Sequence, residues 1–448
     1  MPGRKPRIVT RREWRQLGQA CRHKVARADQ ANWDPKDRRY DVIDLLLAAQ
    51  RGRIPSLLPI KWGRMAASPF GFFRGAVPLM AADLAPLAHT GLTAQICGDA
   101  HVRNLGAFEA PDGRLIFDIN DFDETMIGPW EWDVKRMSAS LVLAGREAGN
   151  SDKQCGNAVL AFASRYRVWM RRFSQMPVVE LARFQVYRTI DPLRSVLRKA
   201  ERATPLRNLE CLTVLRGGRH VFRDQKPVQY HVPQKEADAA VASLRPYMHT
   251  LLRERAHFLG QYQVEDVAFR VVGTGSVGLR DYVLLMFAGA VSDPLFMQIK
   301  EEPQSAYASY LPHSRVAAHQ GRRVAEGGRA MQMQSDIFLG WTSIAGRHYV
   351  VRQLRDHKAG IEEDDLKGKG LLEYAELCGE LLSKGHARSG DSCAISGYLG
   401  NNCRFDESMA TFGITYANQT VKDWEELRKA IRAGRIHAAK SPRPAKHE

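Results

Sequence analysis

A chain of 448 residues is longer than one typical hydrophobic core supports, so two lobes are expected. With 44% apolar and 8% aromatic residues it is excluded from the disordered classes, and its longest apolar run, Tyr282 to Val291, is too short to span a bilayer. A formal net charge of +17 points to an anionic partner: a nucleotide, a phosphorylated substrate, a nucleic acid or a membrane surface.

Much of that charge lies in the ends, between Arg4 and Arg15 and between Arg428 and Lys446. These ends read either as solvated tails or as a nucleic-acid arm, and no pattern of interleaved aromatics stands out to favour the arm. The seven cysteines include no C-x-x-C pair, and the basic amino terminus lacks an apolar segment. Reduced thiols, no zinc site and a cytoplasmic location are therefore expected.

In chain order, residues 1–60 read as a helical segment behind a basic tail, with an apolar-faced helix over Tyr40 to Ala49. A helix is expected within Phe73 to Leu84. A short apolar strand then leads to the loop Gly98-Asp99-Ala100-His101-Val102-Arg103-Asn104, and Gly113 turns the chain into a strand at Arg114 to Phe117. Gly128-Pro129 breaks the chain before helices at about 131–149 and 153–174, and the proline-rich stretch 175–235 is mixed. From 236 the pattern predicts a helix to about 259, a strand at 268–272, a glycine-rich turn, and strands at 282–287 and 295–300. A long helical region at 304–335 precedes a hairpin, 337–341 with 348–354, around Ala345-Gly346; helices at 367–388 and 421–434 follow. The predicted division is an acid-bearing helical part over 61–235, a β-rich part over 236–356, helices over 357–434 packing back on the first part, and a basic tail over 435–448.

Two groups of residues, far apart in sequence, carry chemistry. Asp99 and Asn104 lie five residues apart; downstream stand Asp118, then Asn120-Asp121-Phe122-Asp123-Glu124, with Gly128 and Asp133 seven and twelve residues beyond Asp121. Phosphoryl transfer requires one Asp to orient a hydroxyl, and an Asn with a second Asp to hold magnesium. Far downstream, Gly273-Thr274-Gly275-Ser276-Val277-Gly278 can bring backbone up to phosphates, and Lys300, ending an apolar strand, can pair with them. Each feature has a plainer reading: Asp99 as a turn residue, Asp133 as an acid at a helix start, Lys300 as a snorkelling edge lysine. Asp118 ends its apolar strand more cleanly than Asp121 and competes for the metal. Asp121 to Thr125 also fits the D-x-D-x-T pattern of haloacid-dehalogenase-type phosphatases, although Asn120 separates it from the strand. The glycine turn equally marks dinucleotide folds, in which a helix opens at Gly278 between parallel strands. For Lys300, Glu326 on the following helix is the expected partner, with Glu301 and Glu302 as alternatives.

The G-D-x-H-x-x-N loop, the strand, the Asp, the Gly and the helix-borne Asp together resemble the aminoglycoside phosphotransferase branch of the protein-kinase-like fold. That resemblance implies Asp99 as catalytic base, Asn104 and Asp121 as Mg2+ ligands with Asp118 as competitor, and Asp133 as a brace for the loop. It implies ATP phosphates under Gly273, Thr274, Gly275, Ser276 and Gly278, with Lys300 beside them and Glu326 supporting it. The glycine turn and lysine come last here, so a circularly permuted order is implied. The helix ending at His386 then reaches the Asp99 loop in space. The chain is also similar to a bacterial family known only as a domain of unknown function, through Ser68-Pro69-Phe70, Phe73-Arg74-Gly75, Gly98 to His101, Asn120 to Glu124, Gly128 to Asp133, Lys135-Arg136 and His386 to Arg388. The expected fold is α+β: a two-lobed, circularly permuted protein-kinase-like fold with a helical insertion, placed between 140 and 260, that sets acceptor specificity. The expected activity is ATP- and magnesium-dependent phosphoryl transfer to a hydroxyl acceptor. A nucleotide-binding pseudokinase, a Rossmann-type dinucleotide-binding protein and a nucleic-acid-binding protein are the alternatives.

Overall fold

Four short strands lie between the N-terminal helices, of which Arg11–Lys24 is the longest, and the helix Trp130–Glu147: β1 (Thr93–Ile96), β2 (Leu105–Glu109), β3 (Leu115–Ile119) and β4 (Met126–Pro129). The computed structural model describes residues 9–187, 190–271, 273–312, 314, 317–354 and 359–439. β1 pairs with β4 and β2 with β3, both antiparallel, so the Asp99 loop and the 120–125 stretch are the connections at neighbouring strand ends. Pro129 then caps the helix Trp130–Glu147, and Ser151 with Gln154 closes a capping box on the helix Asp152–Gln175. Both helices start within two residues of their predicted starts, because the Gly-Pro break and the polar cap are local signals.

The hairpin β5 (Thr213–Arg216) and β6 (Arg219–Phe222) forms its own two-stranded sheet, packed on the main one through Phe222, and β7 (Gln229–His231) begins the main sheet. Its other strands are β8 (Gln263–Arg270), β9 (Asp281–Phe287), β10 (Pro294–Glu301), β11 (Gly340–Ile344) and β12 (Arg347–Gln353). The six strands run in the order β11-β12-β10-β9-β8-β7, and every pairing is antiparallel. The glycine turn joins β8 to β9, and Lys300 sits near the end of β10 opposite Asp281 of β9. No helix opens at Gly278, so the parallel strand–helix–strand unit of a dinucleotide fold is not formed here. Val272, at the end of the predicted strand, lies outside the described residues. The sheet reaches back to Gln229, ahead of the predicted boundary at 235.

Three expected helices change. The stretch 236–259 is broken into Gln234–Ala242, Leu244–Met248 and Arg253–Leu259, the middle piece carrying Pro246. Among the described residues, which leave out 313, 315 and 316, the region 304–335 shortens to Gln320–Met331 with one 3-10 turn at Ala308–Tyr310, because Ser305 Oγ donates to Glu124 O at 2.9 Å and Ala306 N to Glu124 Oε2 at 2.7 Å. The last helix lengthens to Arg404–Arg432: Phe405, Met409, Phe412 and Tyr416 recur at three- and four-residue spacing and are buried.

β13 (Ala359–Gly360) pairs with β2 and returns the chain from the sheet to the acid-bearing hairpin. The helix Lys369–Ser389 then lies along Asp152–Gln175. Gly379 permits that approach, since a Cβ there would stand 2.4 Å from Phe162 O. One core, around Trp130, Tyr166, Leu381 and Phe412, fills the helical part; a second, around Val267, Tyr282, Leu284 and Tyr349, underlies the sheet. Full burial of each such aliphatic or aromatic side chain contributes about 1.5–3 kcal/mol. The arrangement is mixed α+β, with a helix-rich part carrying the early acids and a sheet carrying the glycine turn.

Candidate functional site

Gly98 holds the turn into the Asp99 loop: its φ is +79°, and a Cβ would stand 2.3 Å from Glu124 O. Asp133, in the first turn of the 130–147 helix, accepts hydrogen bonds from Cys97 N at 2.8 Å and Gly98 N at 2.9 Å. This is the bracing contact expected of it. Behind Asp133, His386 Nε2 lies 3.2 Å from Oδ2, and Tyr166 Oη lies 2.9 Å from His386 Nδ1. On the other side Tyr307 Oη donates to Gly98 O at 2.7 Å. The end of the 369–389 helix therefore does stop at the loop, where Gln95 N of β1 also donates to Ser389 Oγ at 3.1 Å.

The loop presents Asp99 to a cavity. Arg136 donates to Asp99 Oδ1 from Nε at 2.8 Å and Nη2 at 2.5 Å. Burial nevertheless pushes the Asp99 carboxyl up to about 6, with Arg136 opposing the rise. His101 lies 3.6 Å from Asp99, but burial, with Arg74 and Arg136 nearby, holds its imidazole well below its ordinary range and keeps it neutral. Asn104 Nδ2 donates to Asp99 O at 2.8 Å. Asp121, Asp123 and Glu124 follow β3 and face the same space. Burial opposes ionisation of Asp123, but its ion pair with Lys300 Nζ wins and holds the carboxyl below the usual range.

Asp99, Asn104 and Asp121 line one cavity together with Gly273, Thr274 and Gly275 of the glycine turn. Ser276, Asp123 and Glu302 complete its acidic and turn-facing walls, and its volume, counted to the open solvent, is about 790 Å³. Residues from two parts of the fold, more than 150 positions apart in sequence, thus converge. Lys300 reaches the cavity wall through Asp123. Across residues 120–123 side chains alternate: Asn120 and Phe122 face a neighbouring cavity of about 650 Å³ lined also by Val324, Leu339, Val350 and Leu354.

Three expected site residues lie elsewhere. Asp118 is fully buried on the other side of β3 and forms an ion pair with Lys384 of the 369–389 helix, so it is not a cavity-facing metal ligand. Strand alternation explains this, because a fully buried strand has a core on both sides and Asp118 meets a lysine there. Glu326 is exposed and bonds Arg322 at 2.7 Å one helical turn away; it does not pair with Lys300. The adjacent Arg323 faces inward instead, donating to Thr125 O at 2.8 Å and Pro303 O at 3.0 Å. Gly278 faces the N-terminal segment, where Ile54 N donates to its carbonyl at 2.7 Å.

Reasoning from sequence missed the clamp on the glycine turn, of which Arg53 and Lys61 also line the cavity. Lys61 Nζ donates to Gly275 O at 2.9 Å, Arg53 Nη1 to Val277 O at 2.6 Å, and Arg64 Nη1 to Gly273 O. Arg74 lines the cavity with its Nε buried and unbonded, and burial lowers its guanidinium to about 10. Its signal was present in Phe73-Arg74-Gly75, and that of Arg136 in Lys135-Arg136. Glu302 is buried with its carboxyl driven well above the ordinary range by burial, and then by Asp123. Among the described residues no three His, Cys, Asp or Glu side chains close on a point that holds a metal ion. Asn104 and Asp121 do offer oxygen ligands on one wall, which suits magnesium, an ion that keeps water and phosphate oxygens as its other ligands.

No helix among the described residues is long and apolar enough to cross a membrane. No curated protein and no solved structure matches the chain. Residues 53–430 match the family described as "Uncharacterized protein conserved in bacteria (DUF2252)", from the clamp to the last helix. With most of its length covered by that match, the chain belongs to this bacterial family.

Proposed function

We propose that the protein is an ATP- and magnesium-dependent phosphotransferase acting on a hydroxyl acceptor, built on a permuted protein-kinase-like fold. The observation that carries this reading is the shared cavity: Asp99, Asn104 and Asp121 on one wall, the glycine turn on the facing wall. Phosphoryl transfer depends on positioning and charge stabilisation more than on covalent chemistry, and needs phosphates gripped from both sides.

In this reading Asp99 accepts the proton of the acceptor hydroxyl, its orientation fixed by Arg136 and its loop by Asp133. Asn104 and Asp121 would hold magnesium, which supplies charge neutralisation at the phosphates. Backbone amides of Gly273 to Ser276 would meet the phosphates, while Lys61, Arg53 and Arg64 hold the turn's carbonyls, Lys61 and Arg53 from within the same cavity. Lys300 occupies the third strand counted from the one preceding the turn, the place of the phosphate-pairing lysine in kinases. Phe122, following Asp121, packs against the 320–331 helix at Gly328, as the aromatic after a metal-binding Asp does there. The neighbouring cavity at Phe122, Val350 and Leu354 gives room for a base.

One observation favours a nucleotide-binding module without turnover: Asp99 Oδ1 is already held by two Arg136 donors. The deciding experiment has two stages. Thermal stability with ATP and with and without magnesium tests binding, and transfer or release of labelled γ-phosphate tests turnover. Binding with no transfer and no hydrolysis supports the module; absence of magnesium-dependent nucleotide binding removes both.

A further inference from the structure

Glu302 stands one residue beyond β10, and its position is set by the sheet: its N–H donates to His348 O at 2.8 Å. The residue is 2% exposed, and neither carboxylate oxygen has a hydrogen-bond partner among the described residues. A carboxylate left so is costly, since it has lost water and gained nothing in return. It nevertheless lines the cavity that also holds Asp121 and Asp123.

Most of the cations around it are committed elsewhere: of those lining the cavity, Lys61 and Arg53 hold carbonyls of the glycine turn, and Arg74 keeps an unbonded Nε. Lys300 pairs with Asp123, and Arg136 pairs with Asp99. Arg323, the inward-facing cation of the 320–331 helix, spends its donors on Gln320 Oε1 and on the carbonyls of Thr125 and Pro303. Glu124 Oε2 already accepts from Ala306 N. Glu302 on the sheet side and Asp121 on the helical side are therefore acids of one cavity with no ion-pair partner among the described residues.

We infer that Glu302 is a ligand for a divalent cation held between the two parts of the fold, with Asp121 as its counterpart across the cleft. Oxygen ligands of this kind suit magnesium or manganese, and water or phosphate oxygens fill the remaining positions. The ion would tie the end of β10 to the loop after β3, so binding it also draws the glycine turn and the acidic loop together. The inference shares its cavity with the phosphoryl-transfer reading but is tested without transfer.

Manganese binding to the full chain is measured by calorimetry and by the electron paramagnetic resonance of free Mn2+, alone and with a non-hydrolysable ATP analogue. Glu302→Gln keeps the side chain's shape and removes its charge. At least tenfold weaker Mn2+ binding is expected in that variant, with loss of any Mn2+-dependent rise in melting temperature, while Glu326→Gln behaves as the parent. Should Glu302→Gln fail to fold, Asp121→Asn serves from the opposite wall and is expected to weaken Mn2+ to the same degree. Where both fold, the double variant adds no further loss, because both groups hold one ion. Parent-like Mn2+ affinity in Glu302→Gln under both conditions overturns the inference, as does a parent chain that binds no Mn2+ under either. Analogue binding that survives Glu302→Gln unchanged, with unchanged Mn2+ affinity, leaves the transferase reading standing and removes this one; Mn2+ binding that depends on Glu302 in a chain that binds no nucleotide does the reverse.

Discussion

Burial suits Asp99 to the role proposed for it: a carboxyl that titrates near 6 is ionised at neutral pH yet basic enough to take a proton. In the proposed transferase, transfer should therefore fall as pH drops below about 6, and Asp99→Asn should lower it about 10²–10⁴-fold, with a fall in melting temperature because the buried Arg136 loses its counter-charge; a flat pH–rate profile over 5–7 would remove the base assignment. Asp281 shows the same direction of shift with a different consequence. Burial raises its carboxyl to about 6, so the folded state holds the proton more tightly than the unfolded chain does. Its contribution is complete below the unfolded value near 4 and is lost as pH rises through 6, by about 3 kcal/mol. Asp281→Asn should flatten that part of the stability–pH curve measured by urea unfolding. Asp118, by contrast, is structural: removing its buried partner in Lys384→Ala leaves an unpaired charge and should cost about 3–5 kcal/mol in urea unfolding.

At the scale of elements, the 58–66 helix does for the glycine turn what Asp133 does for the Asp99 loop. Lys61 and Arg64 bond the turn's carbonyls, so the turn's shape depends on a helix more than 200 residues earlier. Arg64→Ala should speed amide exchange across 273–278 and weaken nucleotide binding several-fold, with exchange in β9 and β10 unchanged; unaltered exchange in the turn would make the contact incidental. The broken helices at 236–259 and the short 320–331 helix carry the complementary lesson. Their lengths were set by Pro246 and by the Glu124 tether to Ser305 and Ala306, a long-range contact that helix propensity does not encode.

For the whole molecule, two cores meet across a cavity of mixed charge, so a ligand that grips both walls should stabilise both parts together. At a hundredfold excess over its dissociation constant such a ligand adds about 2.7 kcal/mol, and ATP with magnesium should raise the melting temperature by a few degrees where magnesium alone raises it less. The sequence by itself determined the long helices after Pro129 and Ser151 and the residue types Asp99, Asn104 and Asp121, because periodicity, caps and turn residues act locally; the choice of antiparallel strands across the glycine turn over a parallel dinucleotide unit was made only in the fold. Asp133 as the loop's brace came from the family resemblance, and the fold shows the contact. The tertiary structure decided the partners: Lys300 with Asp123 in place of Glu326, Asp118 with Lys384, Arg136 with Asp99, and the N-terminal clamp on the glycine turn. Such pairings join residues 37 to 266 positions apart, and a charge chooses its partner by distance and burial in the folded state, neither of which is written in the order of the chain.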